Sequence, residues 1–306
     1  MRSANFAFAK FVQRRYNSIV RDEWSLSETL RLHFCFNVNL IRGWGLSMNM
    51  KKIMSLVAAS AFAVFALAGC GGDNGAGKAE APKVLKVGSS IDFPPFEFQD
   101  EGQKEYQGFD MDLIRAIAKE MGRDVEIQNL GFDGLIPALQ GKSIDLAISG
   151  MTINDERKAN VRFSEPYYQS GLTMVVREDE TAITRFADLK GKKVAVQIGT
   201  TSAAEVKKIE GVEIKELNTP ADCFMELKAR GVDAVVNDRP VNDYFITKNA
   251  AKGVKTLEEK LTAEDYGIAI NKDNEKLQND VNAALKKLKE NGEYDKIYAK
   301  WFGAKK

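Results

Sequence analysis

Apolar and polar positions in this 306-residue chain follow three regimes. Residues 53–68 are almost uninterruptedly apolar, without a polar face. Residues 71–83 mix glycine, alanine and scattered charges with no period. From Val84 onward, short apolar runs alternate with helical stripes. Residues 84–88 read as a strand. Residues 109–121 read as a helix with Leu113, Ile114, Ile117, Ala118 and Met121 on one face and Gly122 as its stop. Then come a strand at 125–127, a short helix at 134–140 around Pro137, and a strand at 144–148. The pattern restarts with a strand at 194–196, a helix from about Ser202, a strand at 212–217, a helix at 221–229 and a strand at 232–236. One more strand at 266–270 precedes an amphipathic helix at 277–288, with Gly292 beyond it. Tyr294, Ile297, Tyr298 and Trp301 read as packing anchors. Strand–helix alternation predicts an α/β fold with largely parallel sheets. Two similar units in tandem predict two lobes, with a ligand cleft beyond the strand C-terminal ends.

The apolar run has the layout of an export signal: Lys51 and Lys52 ahead of it, about 15 apolar residues, and small residues closing it. That length is short for a permanent bilayer span. Leu67, Ala68, Gly69 and Cys70 resemble a bacterial lipoprotein processing box. The resemblance implies cleavage before Cys70, diacylation of that cysteine, and a membrane-anchored protein facing the periplasm or the cell exterior. Residues 48–69 are then the lipoprotein signal peptide and 70–83 a flexible tether. Residues 1–47, basic and aperiodic, lie ahead of a signal that should come first. They read as a mis-called extension, with Met48 or Met50 as the start.

With 44% hydrophobic and 28% charged residues, a wholly disordered chain and a polytopic membrane protein are both excluded. The near-zero net charge of +1 averages two unlike parts. Residues 1–69 hold nine Lys/Arg and three Asp/Glu, which leaves 35 basic and 40 acidic side chains beyond them, a net −5. Nothing favours a nucleic-acid partner. The single histidine, His33, lies upstream of Cys70, so histidine catalysis and histidine metal sites are excluded from the exported part. Cys35 is also upstream and Cys70 would be acylated. Cys223 is left alone, without an internal disulfide, and reads as a buried hydrophobe. No metal or cofactor is expected.

Chemistry-bearing residues gather just after the apolar strands. Ser90, Asp92, Phe93, Pro94, Pro95 and Phe96 follow the first, where a double proline can hold aromatic faces toward a ligand. Ser149, Gly150 and Thr152 follow the strand ending at Ile148, and Arg157 comes shortly after. Hydroxyls, backbone N–H groups and a guanidinium together suit a carboxylate; taken alone, Arg157 reads first as a solvated surface cation paired with a nearby acid. Gln197, Gly199, Thr200, Thr201 and Ser202 lie between a strand and a helix, and could bind an anion at the helix start. They lack the lysine and spacing of a nucleotide-phosphate loop. Asn237 and Asp238 end another strand, where a carboxylate can receive an ammonium, or where both simply form a turn. One cationic and one anionic clamp complement a free amino acid.

From about Leu85 to Phe302 the chain resembles the polar amino-acid solute-binding proteins of bacterial ABC importers. The resemblance is carried by Pro95, Phe96, Glu97 and Phe98; by Gly108, Phe109, Asp110, Met111, Asp112 and Leu113; and by Phe132, Asp133, Gly134, Leu135, Ile136, Pro137, Ala138 and Leu139. Asp145, Leu146 and Ala147, the Thr152 and Asp155, Glu156, Arg157 group, the run from Phe163 to Tyr168, and Gly199, Thr200 and Thr201 extend it.

It implies a two-lobed periplasmic-binding-protein fold of type II. A two-strand hinge would cross near Met174–Val176 and Thr262–Tyr266, with residues 84–174 and 265–306 forming lobe 1 and 175–264 lobe 2. It implies that Arg157 grips the ligand α-carboxylate with the Thr152 hydroxyl and backbone N–H groups near Thr152 and Thr201, and that Asp238 takes the α-ammonium beside Ser149 and Gly150. Phe93 and Phe132 would sandwich the ligand, while Ser90, Gln197, Thr200 and Asn237 line its surroundings. The protein would be a monomeric, non-catalytic carrier with a permease and ATPase as partners. A pocket of Ser90, Gln197 and Asn237 favours a neutral polar ligand, glutamine first. An inward Asp92 would instead favour arginine or lysine, and a loop cation glutamate. A dehydratase acting on prephenate-like acids, with Glu165 or Asp92 as the acid, and a sensor or adhesin module without an importer are the competing classes.

Overall fold

The structure, a computed structural model, describes residues 84–248 and 253–304. The expected signal, tether and lipidated Cys70 lie outside them. Among the described residues no helix is long and apolar enough to cross a membrane.

Two five-stranded sheets organise the chain. In the first lobe, β1 (Val84–Ser89), β2 (Asp124–Asn129), β3 (Leu146–Ala147), β4 (Val161–Phe163) and β12 (Ala269–Asn271) form a sheet of order β2-β1-β3-β12-β4. In the second, β6 (Leu172–Arg177), β7 (Lys193–Gln197), β8 (Glu213–Leu217), β9 (Ala234–Asp238) and β10 (Val254–Thr256) take the order β10-β6-β9-β7-β8. Each sheet is mixed rather than largely parallel. Three strands of each sheet pair in parallel, and two further strands join antiparallel: β12 and β4 in the first sheet, β6 and β10 in the second.

Helices cover both faces of each sheet. In the first lobe, α1 (Phe109–Glu120) packs with α7 (Glu275–Glu290) and α8 (Glu293–Phe302) over one face, and α2 (Leu135–Gln140) over the other. The buried stripe of α7, with Leu277, Val281, Ala284, Leu285 and Leu288, has the helical period read from the sequence. Helix α1 must begin at a glycine. Gly108 has φ +131, and a Cβ there would lie 2.0 Å from the Phe96 carbonyl oxygen. The second lobe has an aliphatic core flanked by α4 (Thr201–Val206), α5 (Pro220–Lys228) and α6 (Arg239–Lys248). Helix α6 was not foreseen, because Asn237, Asp238 and Pro240 read as a turn.

The run at 266–270, expected as one strand, is split. Tyr266 ends β11 (Glu264–Tyr266), while Ala269 opens β12 in the first sheet. Gly267 makes the break, and a Cβ there would meet the Ile153 side chain at 2.7 Å. Strand β11 pairs antiparallel with β5 (Tyr168–Ser170), and this ribbon connects the two sheets. Met174–Val176, taken in the sequence as a crossing segment, lies inside β6 and pairs with β9; the crossing therefore occurs earlier in the chain, at β5.

Candidate functional site

The C-terminal ends of β1, β3, β7 and β9 converge on the space between the lobes. Ser90, Asp92, Phe93, Glu97, Phe132, Ser149, Gly150, Thr152, Arg157, Gln197, Thr200, Thr201 and Asp238 line a nearly closed cavity of about 10 Å³ there. Every ligand-binding residue that the resemblance implied is in this group except Asn237, while Glu165, the other candidate acid, lines a separate cleft with Arg162 and Asp265. Asn237 is buried in β9 opposite Thr173, and its carbonyl accepts the Asn242 amide at 3.1 Å. Its side chain does not line the cavity, and its Nδ2 is buried without a hydrogen-bond partner.

Arg157 is 7% exposed, on the four-residue helix α3 (Asp155–Lys158), which the Asn154 side chain caps by accepting the Arg157 backbone N–H at 2.9 Å. Its Nη1 donates to the Thr152 carbonyl at 2.8 Å and its Nη2 to the Gly199 carbonyl of the other lobe at 3.2 Å. The guanidinium also lies 5.3 Å from the centre of the Phe132 ring. Burial lowers its pKa, and the carboxylates of Glu264 and Asp238 oppose that shift. Arginine remains charged under such conditions, so a desolvated cation faces the cleft.

Asp238, 6% exposed at the end of β9, accepts the Ser170 hydroxyl at 2.8 Å. Burial first, and then the nearby Glu264 carboxylate, pushes its pKa up to about 7. Across the cleft, Asp92 turns inward. It accepts the Ser90 hydroxyl at 3.1 Å and the Gln197 amide of the second lobe at 3.3 Å, and burial raises its pKa to about 6. Both bonded partners of this carboxylate are neutral.

A buried acid layer supports the first-lobe wall. The Ser149 hydroxyl donates to Glu97 at 2.8 Å and accepts the Ser90 backbone N–H at 2.9 Å. Asp110, on the first turn of α1, accepts the Gly150 N–H at 2.9 Å and the Tyr167 hydroxyl at 2.7 Å. Burial raises both acids, Asp110 to about 6 and Glu97 well above the carboxylate range, with Asp110 as the second cause for Glu97. Gly150 has φ +52, and a Cβ there would lie 2.9 Å from the Phe93 ring. Phe93 faces the cleft, while Phe96 is fully buried among Phe109, Tyr168, Tyr266 and Phe302.

The Thr200 hydroxyl is committed locally. It donates to the Gln197 carbonyl at 2.6 Å and caps α4 by accepting the Ala203 N–H at 3.3 Å. Thr152 and Thr201, one from each lobe, donate their hydroxyls to Glu264 Oε2 at 2.6 and 3.0 Å. Glu264 faces Ser170 in the crossing ribbon, so the two sides of one rung reach both candidate clamps. Sequence reasoning missed Glu264, Ser170, and the parts played by Glu97 and Asp110. Among the described residues no group of three or more His, Cys, Asp or Glu side chains could hold a metal ion. Cys223 is buried, and its thiol is pushed up to about 12 by desolvation.

Two α/β lobes around a polar cleft, joined by a short antiparallel ribbon, define a type II periplasmic-binding-protein fold. Residues 85–304 match the model of the bacterial extracellular solute-binding proteins, family 3, and the chain belongs to that family. The arginine-binding extracellular protein ArtP of Bacillus subtilis (strain 168) is 36% identical over 261 residues, covering 84% of this chain and all of that protein. A probable histidine-binding protein of Neisseria gonorrhoeae is 38% identical over 262 residues, covering 83% of this chain and 97% of its own. Among solved structures, an ancestral arginine-binding protein bound to arginine has a TM-score of 0.71 at 46% identity, over 73% of this chain and all of that one. An ancestral arginine-binding protein bound to glutamine gives the same TM-score at 47% identity and the same coverage. These relatives are binding proteins, and this chain is a binding protein rather than an enzyme.

Proposed function

We propose that the protein captures a cationic α-amino acid, arginine first, and hands it to an ABC importer. In this reading Arg157, Thr152 and Thr201 hold the α-carboxylate and Asp238 the α-ammonium, while Phe93 and Phe132 flank the ligand. Asp92 carries the assignment of the side chain. It is an inward carboxylate whose bonded partners, Ser90 and Gln197, bring no positive charge. A guanidinium offers the paired donors such a group lacks. Glutamine, favoured by the sequence from Ser90, Gln197 and Asn237, becomes the second choice. Asp92 faces the cleft, Asn237 does not line it, and arginine-binding proteins are among the relatives. Glutamine stays in view because the Gln197 amide lines the same space and an ancestral arginine-binding protein has been solved with glutamine bound. The lipidated Cys70 would keep the carrier beside its permease.

Titration calorimetry against the twenty amino acids tests the reading. Arginine binding below about 10 µM, roughly 7 kcal/mol of binding free energy, with lysine and glutamine weaker, is the expected order. Tighter binding of a neutral or acidic amino acid would overturn the cationic assignment, and no binding at all would overturn the function.

A further inference from the structure

Glu264 is 4% exposed and sits beside the proposed carboxylate subsite without a part in it so far. Its Oε2 accepts the Thr152 and Thr201 hydroxyls, and its Oε1 accepts the Thr262 hydroxyl at 3.2 Å. The groups around it are the Arg157 guanidinium, which it attracts, and the Asp238 carboxylate, which it repels. A hydroxyl has one proton to donate. A threonine that gives it to Glu264 has none left for a second acceptor. The α-carboxylate of a ligand held at Arg157 would need the same two donors, would bear the same charge as Glu264, and would sit in the same poorly hydrated space, where like charges repel strongly.

We infer that Glu264 is an internal competitor of the ligand. Its carboxylate stands in for the ligand carboxylate on one hydroxyl from each lobe, holding the lobes together and weakening amino-acid affinity. The inference rests on the assignment of Arg157, Thr152 and Thr201 to the ligand carboxylate. A carrier that must release its cargo to a permease gains from such a device, because the same two donors are refilled from within as the ligand leaves.

The test is Glu264→Gln in the full chain, which keeps the volume and one acceptor oxygen and removes the charge. Calorimetry should show arginine bound three- to tenfold more tightly. Without added amino acid, the backbone amides of residues 199–203 should exchange hydrogen at least threefold faster, since the inter-lobe bridge is weakened. A purely bracing role predicts the opposite for binding, because released threonines lose their orientation. Equal or weaker arginine binding, or unchanged exchange, overturns the inference. Should the glutamine variant lose its circular dichroism signature of folding, Glu264→Asp replaces it. That side chain is one methylene shorter and withdraws the carboxylate from the two hydroxyls, so the same signs are expected with smaller factors, and unchanged exchange again overturns the inference. If the unaltered protein binds none of the twenty amino acids, the proposed function falls and the competitor role with it. The exchange comparison still reports separately whether Glu264 bridges the lobes.

Discussion

On the first-lobe wall, the polar groups facing the cleft rest on ionisable side chains deep in the core. Ser149 leans on Glu97, the Gly150 N–H on Asp110, and Asp110 on Tyr167. On the second-lobe wall the supports are neutral hydroxyl and backbone groups. Thr200 caps its own helix, Gln197 donates to the Asn218 carbonyl at 2.9 Å, and Asp238 takes a hydroxyl from the crossing strand. Charges buried under one wall and backbone bonds under the other give the two lobes different vulnerabilities. Disturbing the first wall's supports should cost folding stability. Disturbing the second wall's cleft residues should cost affinity and little else.

Arg157 belongs to the first lobe but bonds a carbonyl of each, and its loss should have the largest effect. Arg157→Ala should weaken arginine binding by a factor of about 100 or more, consistent with roughly 2–5 kcal/mol for truncating one side of a buried charge pair. Calorimetry together with circular dichroism checks this; wild-type affinity would refute the carboxylate role. Asp238→Asn should follow at about 10- to 100-fold, with a melting temperature at or slightly above that of the parent, because a desolvated carboxylate beside Glu264 has been neutralised. Asp92→Asn should cost arginine about tenfold and glutamine almost nothing, so the ratio of the two affinities is the measurement. Tyr167→Phe tests the support under the first wall. It should lower stability by about 1–3 kcal/mol by stripping a buried acceptor of its partner, while arginine affinity changes less than threefold. Urea denaturation read beside calorimetry separates the two.

The smallest expected effect is that of pH. Asp92 and Asp110 at about 6 and Asp238 at about 7 all lie above the ordinary aspartate value. Between pH 7.5 and 5.5 the folded protein therefore takes up protons that the unfolded chain does not yet bind, so stability without ligand should rise on acidification. Arginine affinity should fall several-fold over the same window as Asp238 and Asp92 lose their charge. Melting curves with and without arginine at the two pH values check both signs at once.

The sequence reveals the fold best where elements are long. The stripe of α7 and the aliphatic strands β7 and β9 carry their period over several residues. Strands β3, β5 and β11 hold two or three residues each, too few for an alternation to register. That is why the hinge was expected inside β6 and why 266–270 looked like a single strand. Pro240 concealed α6, although proline suits the start of a helix. At the site, residue types after strand ends pointed to Arg157, Asp238 and the serine and threonine hydroxyls. Which way Asp92 and Asn237 turn depends on tertiary position, and chemistry alone could have placed either one inward. Glu264 bonds a threonine 112 residues away. A glutamate in a three-residue strand gives no local sign of such a contact.

Ser170 and Glu264 face each other on the crossing ladder, one bonded to Asp238 and the other to Thr152 and Thr201. Facing residues of an antiparallel pair lie about 4.5–5.5 Å apart, a length set by backbone geometry. The ribbon thus ties Asp238 on one side and Thr152 and Thr201 on the other to a single backbone rung, so any change in its register would displace both supports together.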